Sequence, residues 1–294
     1  MRTIKSSIKG KRMKVIVLGS DGTLGTSLLN VRHEGYKLIP WTVGNCDLTD
    51  LPSIGPALAQ ESPDLIINAS AYTDVDGAEK NEQLATLINA EAVGQIAMYC
   101  AAHRIPLVHF STDYVFSGST TEGYAEHDVP APINAYGRSK LRGESLLVGS
   151  GCPYLCIRTS RLFGRSSAAQ GKKNFIEKML ELARQRSPLS VVDDERTSPT
   201  FADDLARSTY DLLRGGASGM FHRTNDGDCT WYELAQEVFS IVPLPVTLVP
   251  VPGATFPRLA RRPERSTLKT TKVPPLRAWR ESVKEYLSTN PRTI

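Results

Sequence analysis

Tyr136-Gly-Arg-Ser-Lys140 sets a phenol and an amine four residues apart. On a helix that spacing brings both side chains out of one face. A tyrosine hydroxyl titrates near pH ~10 when unperturbed, and a neighbouring ammonium favours the phenolate and lowers that value. Such a pair can give or take a proton near neutrality, which is what carbonyl reduction requires. By itself the spacing fits any amphipathic helix. It gains meaning from Ser111-Thr-Asp-Tyr114 upstream. That segment follows the apolar run Leu107-Val-His-Phe-Ser111, so Thr112 and Asp113 are delivered at a strand's carboxyl end, where active-site groups of open α/β sheets collect. His109 lies inside the strand and reads as a packed core histidine.

The elements that must position these groups alternate strand and helix. Val15-Ile-Val-Leu18 is a continuous apolar run, the mark of a parallel strand buried on both faces. It passes into Gly19-Ser-Asp-Gly22-Thr-Leu-Gly25 and then a helical pattern through Leu28, Leu29 and Val31. Glycines between a strand and a helix let backbone amides approach a pyrophosphate at the helix N-terminus, so this stretch predicts a dinucleotide site. Lys37–Thr42 reads as the second strand. Its end carries no Asp or Glu for an adenosine ribose diol, which favours NADPH over NADH, and no obvious Arg for a 2′-phosphate. Asp47 is placed either beside the adenine or, with Asp50, as a cap before Leu51-Pro52. Asp64–Tyr72 is another central strand, and small residues at its end, Ala69 and Ala71 among them, leave room for a cofactor.

One helix is expected from Leu84 to Cys100, and a further strand at Tyr154–Arg158. The later pattern gives helices at Phe175–Arg186 and Trp231–Val242, short strands at Leu189–Val192 and Gly219–His222, and a turn at Thr197–Thr200 before a helix carrying Asp203 to Ala206. Val249–Pro263 is Pro-rich and reads as irregular, and a helix at Trp279–Leu287 closes the chain. The expected fold is thus α/β: a doubly wound parallel sheet over residues 13–160 and a smaller lobe over 161–294, the chain being free to cross between them.

The 294 residues are 40% hydrophobic and 22% charged, the composition of a soluble globular protein. No apolar run approaches the ~18 residues of a membrane span. The net charge of +4 is spread along the chain, which argues against nucleic acid as a partner. Five cysteines in no metal-binding spacing predict free thiols in a reducing cytoplasm. Residues 1–12 are basic and lack the apolar core of a secretory signal, so a disordered tail is expected there.

Taken together, Gly19-x-x-Gly22-x-x-Gly25, Ser111-Thr-Asp-Tyr114 and Tyr136-x-x-x-Lys140 make the chain resemble the extended short-chain dehydrogenase/reductases. More narrowly it resembles the dTDP-4-dehydrorhamnose reductase family. The segments that carry this are Ile67–Thr73, Val75-Asp76 with Ala78-Glu79, Ser111–Phe116, Tyr136–Glu144, Asn174-Phe175, Ser198–Thr200, Asp204–Ala206, Trp231-Tyr232, and Arg262-Pro263 with Ser266. The resemblance implies a Rossmann-type domain and a nucleotide-sugar lobe. It implies reduction of the C4 ketone of dTDP-4-dehydro-L-rhamnose by NADPH, or by NADH, the last step to dTDP-L-rhamnose. It further implies that Tyr136 is the general acid, and that Lys140 lowers the Tyr136 pKa and holds the nicotinamide ribose. Thr112 would stand in for a serine at the carbonyl oxygen, and Asp113 would contact the sugar. Gly22, Thr23, Leu24, Asp47, Leu48, Ala71, Tyr72 and Thr73 fall where the family grips its cofactor. Some members are associated with magnesium through acidic residues, for which this sequence shows no ligand set.

Three positions depart from the family pattern: Gly77 replaces a Lys, Arg161 replaces a Trp that packs on substrate, and Thr197 replaces a Gly. All three point to the sugar side. They leave open a reductase or epimerase of another nucleotide-sugar, with Arg161 meeting a different group. A regulatory subunit like the β subunit of methionine adenosyltransferase is a third reading, against which Tyr136, Lys140 and Thr112 together argue. The residues do not distinguish a monomer from a homodimer.

Overall fold

The computed structural model describes residues 12–31, 33–165 and 173–290. The expected disordered tail therefore lies, apart from Arg12, outside the described residues.

In chain order the strands are β1 (Met13–Leu18), β2 (Tyr36–Trp41), β3 (Leu65–Asn68), β4 (Leu107–Thr112), β5 (Tyr154–Thr159), β6 (Leu162–Phe163), β7 (Leu189–Val192), β8 (Thr200–Phe201), β9 (Gly219–His222) and β10 (Leu248–Val251). The helices are α1 (Thr23–Asn30), α2 (Leu51–Glu61), α3 (Val75–Lys80), α4 (Glu82–Thr86), α5 (Ala92–His103), α6 (Ala135–Gly149), α7 (Phe175–Gln185), α8 (Ala202–Arg214), α9 (Trp231–Ile241) and α10 (Trp279–Thr289).

Six strands form one parallel sheet in the order β2-β1-β3-β4-β5-β9. Alternate residues of each central strand face opposite sides. Val15, Val17, Leu65, Ile67 and Val108 pack under α1 and α8, against Leu24, Leu28, Leu205 and Leu213. Ile16, Leu18, Ile66 and Leu107 pack on the other side against Ile54 and Leu58 of α2, Val93 and Ile96 of α5, and Leu147 of α6. Strands buried on both faces must be apolar throughout, which is why their runs were unbroken in sequence. The strand order reverses between β1 and β3, and a crevice opens there at the carboxyl ends.

The C-terminal lobe has its own core, in which Phe163, Phe201, Leu234, Trp279 and Tyr286 meet. Two small parallel pairs, β10 with β7 and β6 with β8, complete it. Here the structure corrects the reading of Val249–Pro263 as irregular throughout, because β10 pairs with β7 despite Pro250. A proline is tolerated at the edge of a two-stranded sheet, where its missing N–H costs no ladder bond.

The long helix expected from Leu84 to Cys100 is also interrupted. A π-helical turn at Leu87–Glu91 separates α4 from α5. The wider turn points Asn89 inward, where it accepts from Tyr72 N at 2.8 Å and donates to Tyr72 O and Ser139 Oγ, both at 3.0 Å. One amide thereby ties the loop after β3 to α6.

Candidate active site

The glycine-rich turn is shaped by two contacts that exclude any side chain. Gly19 has φ +70°, and a Cβ at Gly25 would stand 2.0 Å from Gly19 O. The first turn of α1 carries no acidic residue and no side-chain cap, so its free amides are left for an anion. This turn forms one end of a cavity of about 540 Å³ that runs along the carboxyl ends of the sheet.

Most of the sequence-predicted site residues line that cavity. Gly19, Gly22, Thr23 and Leu24 stand at the turn, Asp47 and Leu48 beyond β2, and Ala69, Ala71 and Thr73 after β3. Thr112, Asp113, Tyr136, Lys140 and Arg161 close the other end. Two do not line it. Gly25 serves the packing of the turn on its helix, and Tyr72 turns its phenol toward Gly77 instead. Asp47 also accepts from Thr49 N and Oγ1 at 2.9 and 2.8 Å, which holds its carboxyl below the usual range. It is thus a turn-forming residue and a cavity residue together. Sequence reasoning gave no role to Ser111 or Thr159. Their hydroxyl oxygens are buried on the cavity wall without a hydrogen-bond partner. These orphaned atoms, the uncapped helix end and the side-chain-free turn fit an elongated, phosphate-bearing ligand such as a nicotinamide dinucleotide.

α6 presents Tyr136 and Lys140 as their spacing requires. Asn134 caps it, accepting from Gly137 N at 2.7 Å, and Glu79 accepts from Ala135 N at 2.8 Å. Lys140 is 2% exposed and donates to Phe110 O at 2.7 Å, with His109 Nε2 at 3.3 Å. Burial brings its amine down to about 8. The Tyr136 phenol is pushed up to about 12, first by burial and also by the Asp113 charge, against a hydrogen bond with Thr112. The lowering expected from Lys140 is not among these influences. The amine is engaged with Phe110 and His109, and desolvation of the phenol outweighs the other influences.

Thr112 Oγ1 donates to Asp113 Oδ1 at 3.0 Å and accepts from Tyr114 N at 3.2 Å. Asp113 accepts in addition from Thr197 Oγ1 at 3.1 Å and Ser266 Oγ at 2.5 Å. Burial raises its carboxyl, while these hydroxyls and the Arg161 charge pull it the other way. Asp113 therefore joins the end of β4 to two distant segments of the C-terminal lobe. Thr197, one of the departures, is part of that junction.

Beyond Asp113 a second cavity of about 320 Å³ opens, sharing Thr73, Thr112, Asp113, Tyr136, Arg161 and Leu162 with the first. Arg161 is held at φ +41°, a conformation that costs a non-glycine residue on the order of 1–3 kcal/mol. Its side chain is fixed from several directions. Cζ lies 3.8 Å from the Trp231 ring centroid, Nη1 donates to Cys229 O at 2.8 Å, and Nη2 donates to Glu195 O at 3.1 Å. The guanidinium thus stacks on the protein's own tryptophan, and Trp231 supplies the aromatic surface missing at position 161. Gly77, the third departure, lines neither cavity. A Cβ there would come within 2.4 Å of Tyr72 Oη.

Among the described residues no three His, Cys, Asp or Glu side chains gather as a metal site. The five cysteines are free and buried, and no described helix is long and apolar enough to cross a membrane.

Residues 13–291 match the family described as the RmlD substrate binding domain. The chain is 37% identical to a probable dTDP-4,6-dihydroxy-2-methyloxan-3-one 4-ketoreductase of Streptomyces antibioticus, over 93% of this chain and 94% of that one. It is 36% identical to the dTDP-4-dehydrorhamnose reductase of Burkholderia thailandensis, over 87% and 90%. Its fold is similar to the crystal structure of the Bacillus anthracis dTDP-4-dehydrorhamnose reductase in complex with NADP. The TM-score is 0.90 at 33% identity, over 95% of this chain and all of that one.

Proposed function

The chain belongs to the RmlD substrate-binding-domain family of nucleotide-sugar 4-ketoreductases, and from that premise we propose that it reduces the C4 ketone of dTDP-4-dehydro-L-rhamnose with NADPH, giving dTDP-L-rhamnose. The observation that carries this reading is that Tyr136, Thr112 and Lys140 line one cavity, and that Tyr136 and Thr112 also border the smaller one. NADPH is preferred because β2 ends at Trp41 and passes into Thr42-Val43 without a carboxylate for a ribose diol, and the Bacillus anthracis relative carries NADP.

In this reading the amides of Thr23 and Leu24 hold the pyrophosphate, while Gly22, whose own N–H donates to Gly19 O at 3.1 Å, keeps the turn tight beneath it. Asp47 and Leu48 flank the adenine, and Lys140 holds the nicotinamide ribose. When bound, the dinucleotide supplies a hydride to the C4 carbon. The ketone oxygen then becomes an alkoxide, a far stronger base than a phenolate. A raised pKa keeps Tyr136 protonated at neutral pH, so it stands ready as the acid, and transfer of its proton to the alkoxide runs downhill. Thr112 fixes the phenol by their hydrogen bond, and Asp113 fixes Thr112. The sugar nucleotide occupies the second cavity, against Trp231 backed by Arg161.

A neighbouring reading is reduction of a different dTDP-4-dehydro sugar. It is favoured by the changed wall at Arg161 and Thr197 and by the Streptomyces antibioticus relative. Steady-state NADPH oxidation with a panel of dTDP-4-dehydro sugars tests both. The rhamnose precursor is expected to give the highest kcat/KM. Preference for another keto sugar would move the assignment to that substrate, and failure of every ketone would remove the catalytic reading.

A further inference from the structure

Beneath the cavity runs a buried chain of three polar side chains. Asn68 ends β3, His109 stands opposite it on β4, and Lys140 reaches down from α6. Their exposures are 1%, 0% and 2%. Ser70 N donates to Asn68 Oδ1 at 3.1 Å, which turns Asn68 Nδ2 toward His109 Nδ1, 3.3 Å away. An amide nitrogen only donates, so Nδ1 is the accepting nitrogen of the ring. A neutral imidazole then carries its proton on Nε2, and Nε2 faces Lys140 Nζ at 3.3 Å.

That contact discriminates between two forms of the lysine. An ammonium has three donors and no acceptor, so here N–H would meet N–H. A neutral amine offers a lone pair to Nε2–H and still donates to Phe110 O at 2.7 Å. Reversing the chain to suit an ammonium puts the imidazole proton on Nδ1 and turns the Asn68 amide over. Asn68 Nδ2 would then oppose Ser70 N. As long as Lys140 is charged, one opposed pair remains somewhere along the chain.

We propose that His109, held as its Nε2–H tautomer by Asn68, is a positioning residue that disfavours the charged form of Lys140 and thereby sets the alkaline side of the turnover profile. This rests on the reading of Lys140 as part of the reductase site. The groups around the amine do not reverse the bias. Cys156 on β5 is held protonated by burial. Glu144, one turn along α6, is bound in a bidentate pair by Arg158 of β5, at 2.9 and 2.7 Å. Tyr136 stays a neutral phenol and Asp113 is engaged by three hydroxyls. Burial is the largest cause of the lowered Lys140 value, while Cys156 and Glu144 act to raise it. His109 in turn is held well below its ordinary value by burial and by Lys140.

Two measurements test this. Nitrogen-15 NMR of histidine-labelled protein reads the tautomer directly, and the signal lost in His109→Gln identifies this ring among the five histidines. His109→Asn serves that purpose if His109→Gln does not fold. A bare Nδ1 with a protonated Nε2 is expected; Nδ1–H, or an imidazolium, overturns the proposal. That reading needs no substrate, so its failure and the failure of the reductase assignment are separable. The second measurement is the pH profile of kcat in His109→Gln, whose side-chain carbonyl can accept from an ammonium. Its alkaline limb should move up by about one pH unit, a tenfold change in the proton equilibrium, with neutral-pH turnover retained. An unmoved limb in a folded variant overturns the proposal as well.

Discussion

Arg161 sets its guanidinium over the ring of Trp231, with Cζ 3.8 Å from the ring centroid. The pair joins the end of the cofactor sheet to the start of α9 and forms the far wall of the smaller cavity. Arg161→Met removes the stack and the bonds to Cys229 O and Glu195 O. A cation–π contact is worth ~0.5–2 kcal/mol and each hydrogen bond about 1 kcal/mol. The expected outcome is a melting temperature lower by several degrees and a raised KM for the sugar nucleotide, with NADPH affinity kept. Thermal melts with saturation kinetics check it; an unchanged KM would show that this wall does not meet the substrate.

Tyr136→Phe retains the half-buried ring and its edge-on contact with Tyr114 at 5.9 Å. It removes the proton donor alone. Turnover should fall by roughly 10²–10⁴-fold, the range for general acid catalysis, while NADPH binding, followed by fluorescence titration, stays near the wild-type value. Turnover within a few-fold of wild type would rule out Tyr136 as the acid.

At Gly25 an added methyl would lie 2.0 Å from Gly19 O, so Gly25→Ala must displace the phosphate-facing turn. Loss of NADPH binding and of thermal stability is expected together. Gly149 is the internal control: apart from its chain neighbours, nothing stands within 4 Å of its added Cβ. In the last turn of α6, Gly149→Ala should be neutral or stabilise by up to about 1 kcal/mol. Equal effects at the two positions in denaturant melts would contradict the packing described for the turn.

His222 gives a pH-dependence with a definite sign. Its Nδ1 lies 3.1 Å from both Tyr124 O and Lys269 O and donates there, leaving Nε2 to accept from Arg158 Nη1 at 3.3 Å. Burial and then the Arg158 charge lower its pKa from 6.5 to about 4. Between those values the unfolded chain binds the proton and the folded one does not, so stability rises with pH. The contribution is complete above 6.5 and is lost as pH falls toward about 4, with a slope of at most about 1.4 kcal/mol per pH unit for each proton. His109 adds to it in the same direction. Melting temperatures across this range should fall as the pH is lowered in the wild type and less steeply in His222→Gln; parallel slopes would refute the assignment.

The local features of this site were legible in the sequence and the long-range ones were not. Tyr136 and Lys140 are related by helix geometry, and Gly19 to Gly25 by a single strand–turn–helix unit, so spacing alone brought each set together. Asp113 is completed by Thr197 and Ser266, which are 84 and 153 residues away. No periodicity encodes such a meeting. The same holds for Trp231, whose ring takes the place of the aromatic missing at 161. Asn89 escaped notice for another reason. Its neighbours continue the helical pattern, and only the π-helical turn swings its amide inward. His109 was read correctly as buried in the core, but its value lies in which ring nitrogen meets Lys140, something no residue count contains.

The sixth strand has a consequence for how the chain is made. β5 is finished at Thr159, yet its outer edge is covered only by β9, which ends at His222. On the ribosome, about sixty further residues must be synthesised before that edge can pair, some seconds at ordinary rates of roughly 5–20 residues per second. During that interval the nascent sheet displays an open ladder of N–H and C=O groups, the template on which foreign strands add. Protein made by halting synthesis after Thr159 would keep that edge permanently and should be recovered as aggregate, so residues 13–159 alone are not expected to form an independently producible module.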